Sequence, residues 1–342
     1  MVTMKEIAKL AGVSRGTVDR VVNNRGSVNP DTERVVREVL KSVNYSPNAA
    51  GKNLAVRKKK LKFGFVLFGD LSADDFFSDV VFGIKRRADE LADLGVTVEI
   101  RGTYLQIPEQ QVELIDELVE LGINGLAIAP INHPIVADRL RMLSMSGIPV
   151  VTSNSDIPDC GRLAYVGSNF YKCGETAAGL MNLITNGAAK VGIISGSPDI
   201  LCNSERVAGF SEYAGRHFPG LDIVSTGVNS DGNNNSYTGT LEMLTTKPQI
   251  ETLFISSAGV SGVCRAVREL SLDGKISIVC FDATDAICRL VKDGTVTATI
   301  AQEPVKQGAM PLDILFDYLC MGTIPENEFN FTEIEIKIKE NL

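Results

Sequence analysis

The side chains best placed to do chemistry near the N-terminus are hydrogen-bonding groups on one side of a short predicted helix. Beyond the capping hydroxyl of Ser14, the residues Arg15, Gly16, Asp19, Arg20 and Asn23 stand outside, while Val18, Val21 and Val22 face inward. An arginine at the start of such a helix can fork onto O6 and N7 of guanine, so the chemistry is the reading of a base edge and not a reaction. Bond-making chemistry finds little support. The seven cysteines (Cys160, Cys173, Cys202, Cys264, Cys280, Cys288, Cys320) are scattered without a Cys-x-x-Cys spacing, which indicates neither a disulfide framework nor a zinc site. They read as reduced, mostly buried small hydrophobes. The two histidines, His133 and His217, are too few and too far apart for a metal site or a Ser-His-Asp relay. Ser195-Gly196-Ser197-Pro198 is not a Gly-x-Gly-x-x-Gly phosphate cradle, and no Walker lysine loop exists. No enzyme and no cofactor is expected.

The elements that must hold the N-terminal groups in place follow from local rules. Thr3-Met4-Lys5-Glu6 forms a capping box, after which Ile7, Leu10 and Ala11 supply one apolar face and Gly12 permits a left-handed turn. Ser14 caps the second helix, with Val13 stapled onto Val18. A third helix is predicted from Asn29-Pro30-Asp31, with Val35, Val36, Val39, Leu40 and Val43 completing the core. Charge sets this segment apart. Residues 1–60 hold 13 Lys and Arg against 5 Asp and Glu, a net of +8, whereas the remainder holds 21 against 37, a net of −16. A basic end on an acidic body is the electrostatic footprint of a module that grips a polyanion. At 342 residues the chain has room for two or three domains. No stretch approaches a membrane span and the N-terminus carries charges where a signal peptide would be apolar, so a cytoplasmic location is expected.

Two short helices around a glycine turn form a helix-turn-helix. The runs Lys5-Glu6-Ile7-Ala8-Lys9-Leu10-Ala11-Gly12-Val13-Ser14, Thr17-Val18-Asp19-Arg20-Val21-Val22-Asn23 and Tyr45-Ser46-Pro47-Asn48, with Leu54, closely resemble the lac-repressor (LacI/GalR) family of bacterial transcription regulators. The resemblance implies that Arg15 and Gly16 occupy the variable base-reading positions and that Arg20 matches the family's arginine. Asp19 stands where many relatives carry a phosphate-contacting serine, so it is expected to orient Arg15 or to accept from a cytosine amino group. Thr3, Ser14, Thr17 and Asn23 are expected to hold the DNA backbone; for Thr3 and Ser14, helix capping is the competing role. Residues 48–55 match the hinge helix, with Asn48 and Ala49 at its start and Leu54 as the minor-groove wedge. Gly51 weakens that helix. The basic run Arg57-Lys58-Lys59-Lys60 follows as a linker.

From Leu61 onward, short β-branched runs alternate with helix-length amphipathic segments, as two doubly wound parallel-sheet lobes require. Here the chain looks like the periplasmic-binding-protein type I fold of the ribose-like branch. The matching runs are Asp74-Asp75-Phe76-Phe77, Ala129-Pro130-Ile131-Asn132, Ser204-Glu205-Arg206-Val207-Ala208-Gly209-Phe210, Cys280-Phe281-Asp282-Ala283 and Ile300-Ala301-Gln302. The expected fold is therefore an all-α helix-turn-helix headpiece (residues 1–47), a hinge helix and basic linker (48–61), and an α/β two-lobed effector domain (62–342). The first lobe is expected to comprise 62–167 and 303–324, the second 168–302 and 325–342, with crossovers near 167–169, 302–303 and 324–325.

The resemblance further implies that Phe76 stacks on a sugar ring while Asn132, Asn154, Asp282 and Gln302 hydrogen-bond its hydroxyls. Arg206 is either a ligand contact or a structural ion pair, Phe77 belongs to the core, and Ser256 and Ser257 either touch ligand or cap a helix. His133 reads as a surface residue. Where ribose-like proteins carry an acid after the third strand and Asp-Arg after the fourth, this chain has Asn132 and Asn154-Ser155, which favours a neutral sugar or polyol. The expected function is a homodimeric, sequence-specific DNA-binding repressor of carbohydrate-metabolism genes under allosteric control by that effector. The alternatives are a corepressor-type regulator sensing a nucleobase or other metabolite and, more remotely, a transport sugar-binding protein. No leucine-heptad tail supports a coiled-coil tetramer.

Overall fold

The computed structural model describes residues 4–22, 28–43, 59–69, 76–103, 107–228 and 232–342. The chain divides into two compact units, residues 1–60 and 61–342.

In the first unit, α1 (Met4–Ala11), α2 (Arg15–Val22) and α3 (Pro30–Ser42) enclose Ile7, Ala8, Val18, Val21 and Val36, with Ala11, Val13, Val22, Val39, Leu40 and Val43 packed around them. Gly12 takes φ +66, the conformation that ends α1 and starts the turn. Asn29 caps α3 by accepting from the Asp31 N–H at 2.9 Å. Two expectations are corrected. Leu10 is 62% exposed and Val35 40% exposed. At 100° per residue the arc through Ile7, Ala8 and Ala11 leaves Leu10 outside, and Val36 rather than Val35 faces inward. The capping box rests on Thr3, which lies outside the described residues.

In the second unit, the strands are β1 (Leu61–Phe68), β2 (Val96–Thr103), β3 (Gly125–Ile128), β4 (Val150–Ser153), β5 (Ala164–Gly167), β6 (Ala189–Ser195), β7 (Leu221–Val228), β8 (Thr252–Ile255), β9 (Ser277–Phe281), β10 (Ala298–Ala301), β11 (Phe329–Phe331) and β12 (Glu335–Lys337). They form two six-stranded sheets, ordered β11-β5-β4-β3-β1-β2 and β12-β10-β9-β8-β6-β7. Among the described residues only the β10–β12 pairing is antiparallel. The inner strands are buried along their length, which explains why they read as unbroken apolar runs. The helices are α4 (Phe76–Ala92), α5 (Pro108–Glu120), α6 (Pro134–Met145) and α12 (Pro304–Phe316) on the first sheet, and α7 (Phe170–Ile184), α8 (Leu201–His217), α9 (Asn233–Thr246), α10 (Val260–Glu269) and α11 (Asp285–Lys292) on the second.

Each lobe is closed by a helix pair in which backbones touch. A Cβ on Gly308 of α12 would lie 2.1 Å from the Val80 carbonyl of α4, and one on Gly174 of α7 would lie 2.2 Å from the Arg206 carbonyl of α8. The chain crosses between lobes after β5 and after β10, and a third time between β11 and β12. That last crossing corrects the expected boundary at 324–325: β11 pairs with β5, so residues 325–331 run with the first lobe and the crossing falls at 332–334. Pro325 marks a local break in the sequence, but strand pairing decides which sheet the following residues join.

Candidate functional site

On the first unit, α2 exposes Arg15, Gly16 and Arg20 to solvent, with Thr17 and Asp19 partly exposed. Ser14 Oγ accepts from the Thr17 N–H at 3.1 Å and shares a hydrogen with Thr17 Oγ1 at 2.9 Å. Capping uses the acceptor side of Ser14, and of the two hydroxyl hydrogens only one is consumed, so one remains to donate outward. Arg15 and Arg20 stand about 1.4 turns apart on the exposed side of α2, whose opposite side, Val18 and Val21, fills the core. Asn23, Asn48, Ala49 and Leu54, like Thr3, lie outside the described residues.

On the second unit, the site is built where strands end. Asn154 follows β4 and Asp282 follows β9, each in the left-handed conformation (φ +62 and +72) that Asn and Asp tolerate best after glycine. The two lobes thus turn their chains outward in the same way at corresponding points. Asn154 is buried, and its Nδ2 donates to Gln307 Oε1 at 3.1 Å. Gln307, wholly buried on α12, donates through Nε2 to the Gln302 carbonyl at 2.5 Å. Gln302 in turn donates through its own Nε2 to Asp282 Oδ1 at 2.5 Å. Three of the residues singled out from sequence are therefore joined in one chain of hydrogen bonds, through a fourth, Gln307, that sequence reading missed. A glutamine in a mixed helical run carries no pattern that would flag it.

Arg206, from the first turns of α8, is 4% exposed. Its guanidinium lies 4.0 Å over the Phe281 ring and 5.1 Å from Phe170, and it donates to the Ser256 carbonyl at 2.9 Å. No carboxylate forms an ion pair with it among the described residues, so the structural ion-pair reading is set aside. Arg206 Nε, Gln302 Oε1 and Ser155 Oγ are buried polar atoms with no hydrogen-bond partner. Leaving such groups unmet costs about 1–3 kcal/mol each, and two of them, Ser155 and Gln302, stand just past the ends of β4 and β10.

Other expected residues play different parts. Phe76 opens α4 half-buried, its ring edge-on to Phe77 at 5.4 Å, and Phe77 is edge-on to Phe68. Phe77 is only half-buried, at the margin of the core. Asn132 is exposed, and its backbone N–H donates to the Asp199 carbonyl at 3.1 Å, a direct bridge between the lobes. Gln111 holds that loop from beneath through the Ala129 carbonyl and the Ile131 N–H. His133 caps α6, Nδ1 accepting from the Ile135 N–H at 3.4 Å. Ser257 turns its hydroxyl to the Ala258 carbonyl and Ser256 donates to Ser195 Oγ, so neither caps a helix. Burial, and secondarily the charge of Asp156, pushes the Glu205 carboxyl above its ordinary range. Two shallow hollows of about 420 and 340 Å³, on α3 and between α5 and α6, lie apart from these groups. Among the described residues no group of His, Cys, Asp and Glu could hold a metal ion, and no helix is long and apolar enough to cross a membrane.

Comparison with known proteins places both units. Residues 3–48 match the model for bacterial regulatory proteins of the lacI family, and residues 64–323 match the periplasmic binding protein domain. The catabolite control protein A of Staphylococcus epidermidis is 27% identical over 83% of this chain and 83% of its own. The HTH-type transcriptional repressor PurR of Actinobacillus pleuropneumoniae is 27% identical over 61% of this chain and 59% of its own. Among solved structures, a solute-binding protein of an ABC transporter from Burkholderia graminis, in complex with D-arabinose, has a TM-score of 0.76 at 26% identity, over 82% of this chain and 96% of its own. GanP, a glucose-galactose binding protein from Geobacillus stearothermophilus, has a TM-score of 0.75 at 25% identity, over 82% and 99%. The chain belongs to the periplasmic binding protein domain family over residues 64–323 and carries before it a DNA-binding domain of the lacI family of bacterial regulatory proteins.

Proposed function

We propose that this protein is a cytoplasmic, homodimeric transcription repressor that reads a pseudo-palindromic operator with Arg15 and Arg20 and answers to a sugar or polyol bound between the lobes of residues 61–342. The observation that carries the effector reading is the set of unmet buried polar atoms Gln302 Oε1 and Ser155 Oγ, just past strand ends, and Arg206 Nε on α8, groups that the hydroxyls of such a ligand would satisfy. Structural neighbours that bind arabinose or glucose and galactose support the same class. Relatives among regulators and binding proteins, and not among enzymes, support a binding role. A flat nucleobase would need an aromatic sandwich, yet Phe281 is already covered by the Arg206 guanidinium. The sugar reading is therefore preferred over the nucleobase one.

Ligand closing the cleft shifts the operator-binding equilibrium, and the coupling is reciprocal, typically about 1–3 kcal/mol. The test is calorimetric titration of the full chain with pentoses, hexoses, polyols and purine bases, with and without an operator selected from random duplexes. Sugar binding whose affinity changes with operator present is expected. Purine binding without sugar binding would refute the effector reading, and an unchanged sugar affinity would refute the coupling. Arg15→Ala should relax base preference, and operator affinity should fall steeply with salt.

A further inference from the structure

We propose that Gln307 is a positioning residue that locks the Asn154 carboxamide with Oδ1 turned away from α12, so that Asn154 Oδ1, together with Gln302 Oε1, is held as an acceptor and favours an effector that donates hydroxyl hydrogens there. This rests on the sugar reading above and adds to it which atoms of the sugar are read as donors.

Several groups here have roles that chemistry leaves no choice about. The Gln302 backbone carbonyl can only accept, so the atom of Gln307 that meets it at 2.5 Å is its NH2 group. Gln307 therefore presents Oε1 to Asn154, and the atom of Asn154 that meets it at 3.1 Å must be a donor. The Asn154 carboxamide is locked with Nδ2 toward α12 and Oδ1 turned away; no described residue donates to Oδ1. The Asp282 carboxylate likewise only accepts, so Gln302 gives it Nε2 and is left with Oε1 buried and unmet. Gln307 cannot escape this arrangement by rotating. It is wholly buried, and its backbone carbonyl accepts from the buried Ser153 hydroxyl at 2.8 Å, pinning α12 to the end of β4. In the second lobe, Arg206 Nε is an unmet donor. A hydroxylated ring can donate to these oxygens and accept from Arg206, whereas a ligand offering only carbonyl or ether oxygens leaves Asn154 Oδ1 and Gln302 Oε1 without partners.

Two arms test this on the full chain. In the first, D-arabinose, D-allose, D-glucose, D-galactose and D-tagatose are titrated, and the tightest binder is compared with its monodeoxy and monodeoxyfluoro analogues. Fluorine keeps much of the size and dipole of a hydroxyl but cannot donate. At the positions facing Asn154 and Gln302 the fluoro analogue should lose about as much as the deoxy one, tenfold or more. At the position facing Arg206 it should lose clearly less. Fluoro analogues that bind like the parent at every position overturn the proposal; if none of the sugars binds at all, the sugar reading falls and this inference with it.

The second arm is Gln307→Glu. A protonated glutamic acid reproduces both bonds, donating to the Gln302 carbonyl and accepting from Asn154, whereas the carboxylate sets one oxygen against that carbonyl. Relative to wild type at each pH, affinity for the same sugar should be reduced about tenfold or more near pH 8 and recover toward about pH 5. The thermal midpoint without sugar should follow the same course, which reads the Gln307 geometry whether or not a sugar binds. A variant-to-wild-type ratio that does not change with pH overturns the assignment. Should the variant fail to fold at high pH, the fluoro series on the wild-type chain decides.

Discussion

The contact between α7 and α8 makes a prediction in which two identical substitutions on one helix change stability in opposite directions. Gly174 and Gly179 both lie within α7. A Cβ at Gly174 would meet the Arg206 carbonyl at 2.2 Å and the Phe210 nitrogen at 2.6 Å, both backbone atoms that no side-chain rotation can remove, while a Cβ at Gly179 would meet nothing within 4 Å. Replacing glycine by alanine inside a helix contributes about 1 kcal/mol of stability through propensity alone. Gly179→Ala should show that gain. For Gly174→Ala the helices must part by roughly 1 Å, an overpacking cost of about 1–3 kcal/mol or more that offsets and outweighs the propensity term. The reciprocal contact of Gly209 with the Tyr171 carbonyl at 2.1 Å leaves no easy direction for that movement. At about 2–4 °C per kcal/mol for a domain of this size, calorimetry of the full chain should find the body's transition a few degrees higher in Gly179→Ala and several degrees lower in Gly174→Ala. Because α8 carries Arg206, the second variant should also weaken sugar binding. Midpoints that move in the same direction would refute the reasoning that backbone contact, and not local propensity, governs this helix.

Glu205, held above its ordinary range by burial and by Asp156, binds its proton more tightly in the folded state than in the unfolded chain. Its contribution is therefore fully present below about pH 4.5 and is lost as pH rises through its raised folded value. Glu205→Gln should raise the thermal midpoint at pH 7 to 8, with the difference closing as pH falls toward 4.5; a difference independent of pH would contradict this. Asp156 accepts from Arg162 Nε at 2.8 Å and from its NH2 group at 2.9 Å, with both side chains largely buried, and from Thr152 Oγ1 at 2.7 Å. Asp156→Ala should cost about 3 kcal/mol, checked by urea unfolding, since it leaves a largely buried guanidinium with Glu328 as its one remaining carboxylate among the described residues. Finally, burial pushes the Cys173 and Cys264 thiols up to about 11 and about 12. In a native thiol-labelling assay only the half-buried Cys288 and Cys320 should react readily, the other five needing unfolding; rapid labelling of Cys280 would count against the packing described.

Local rules were enough for much of this protein. Glycine at position 12, the Ser14 cap and the valines of α2 and α3 are decided within a few residues, which is why the headpiece was legible in the sequence. The alternation of apolar runs and amphipathic helices likewise announced two parallel sheets, because a strand buried on both faces must be apolar throughout. Asn154, Asp282, Gln302 and Arg206 could be singled out because their runs resemble a known family. Where the reading failed, the deciding contact was distant in the chain. Leu10 and Val35 are apolar residues whose exposure depends on how three helices are rotated together. The short strand of Phe329 to Phe331 joins the first sheet only because Tyr165 and its neighbours offer it an edge. Gln307 matters because α12 returns across the lobes to a carbonyl five residues earlier and an amide 153 residues earlier. Hydrogen-bond polarity in a cleft depends on who meets whom across it, and no local pattern in the sequence records that.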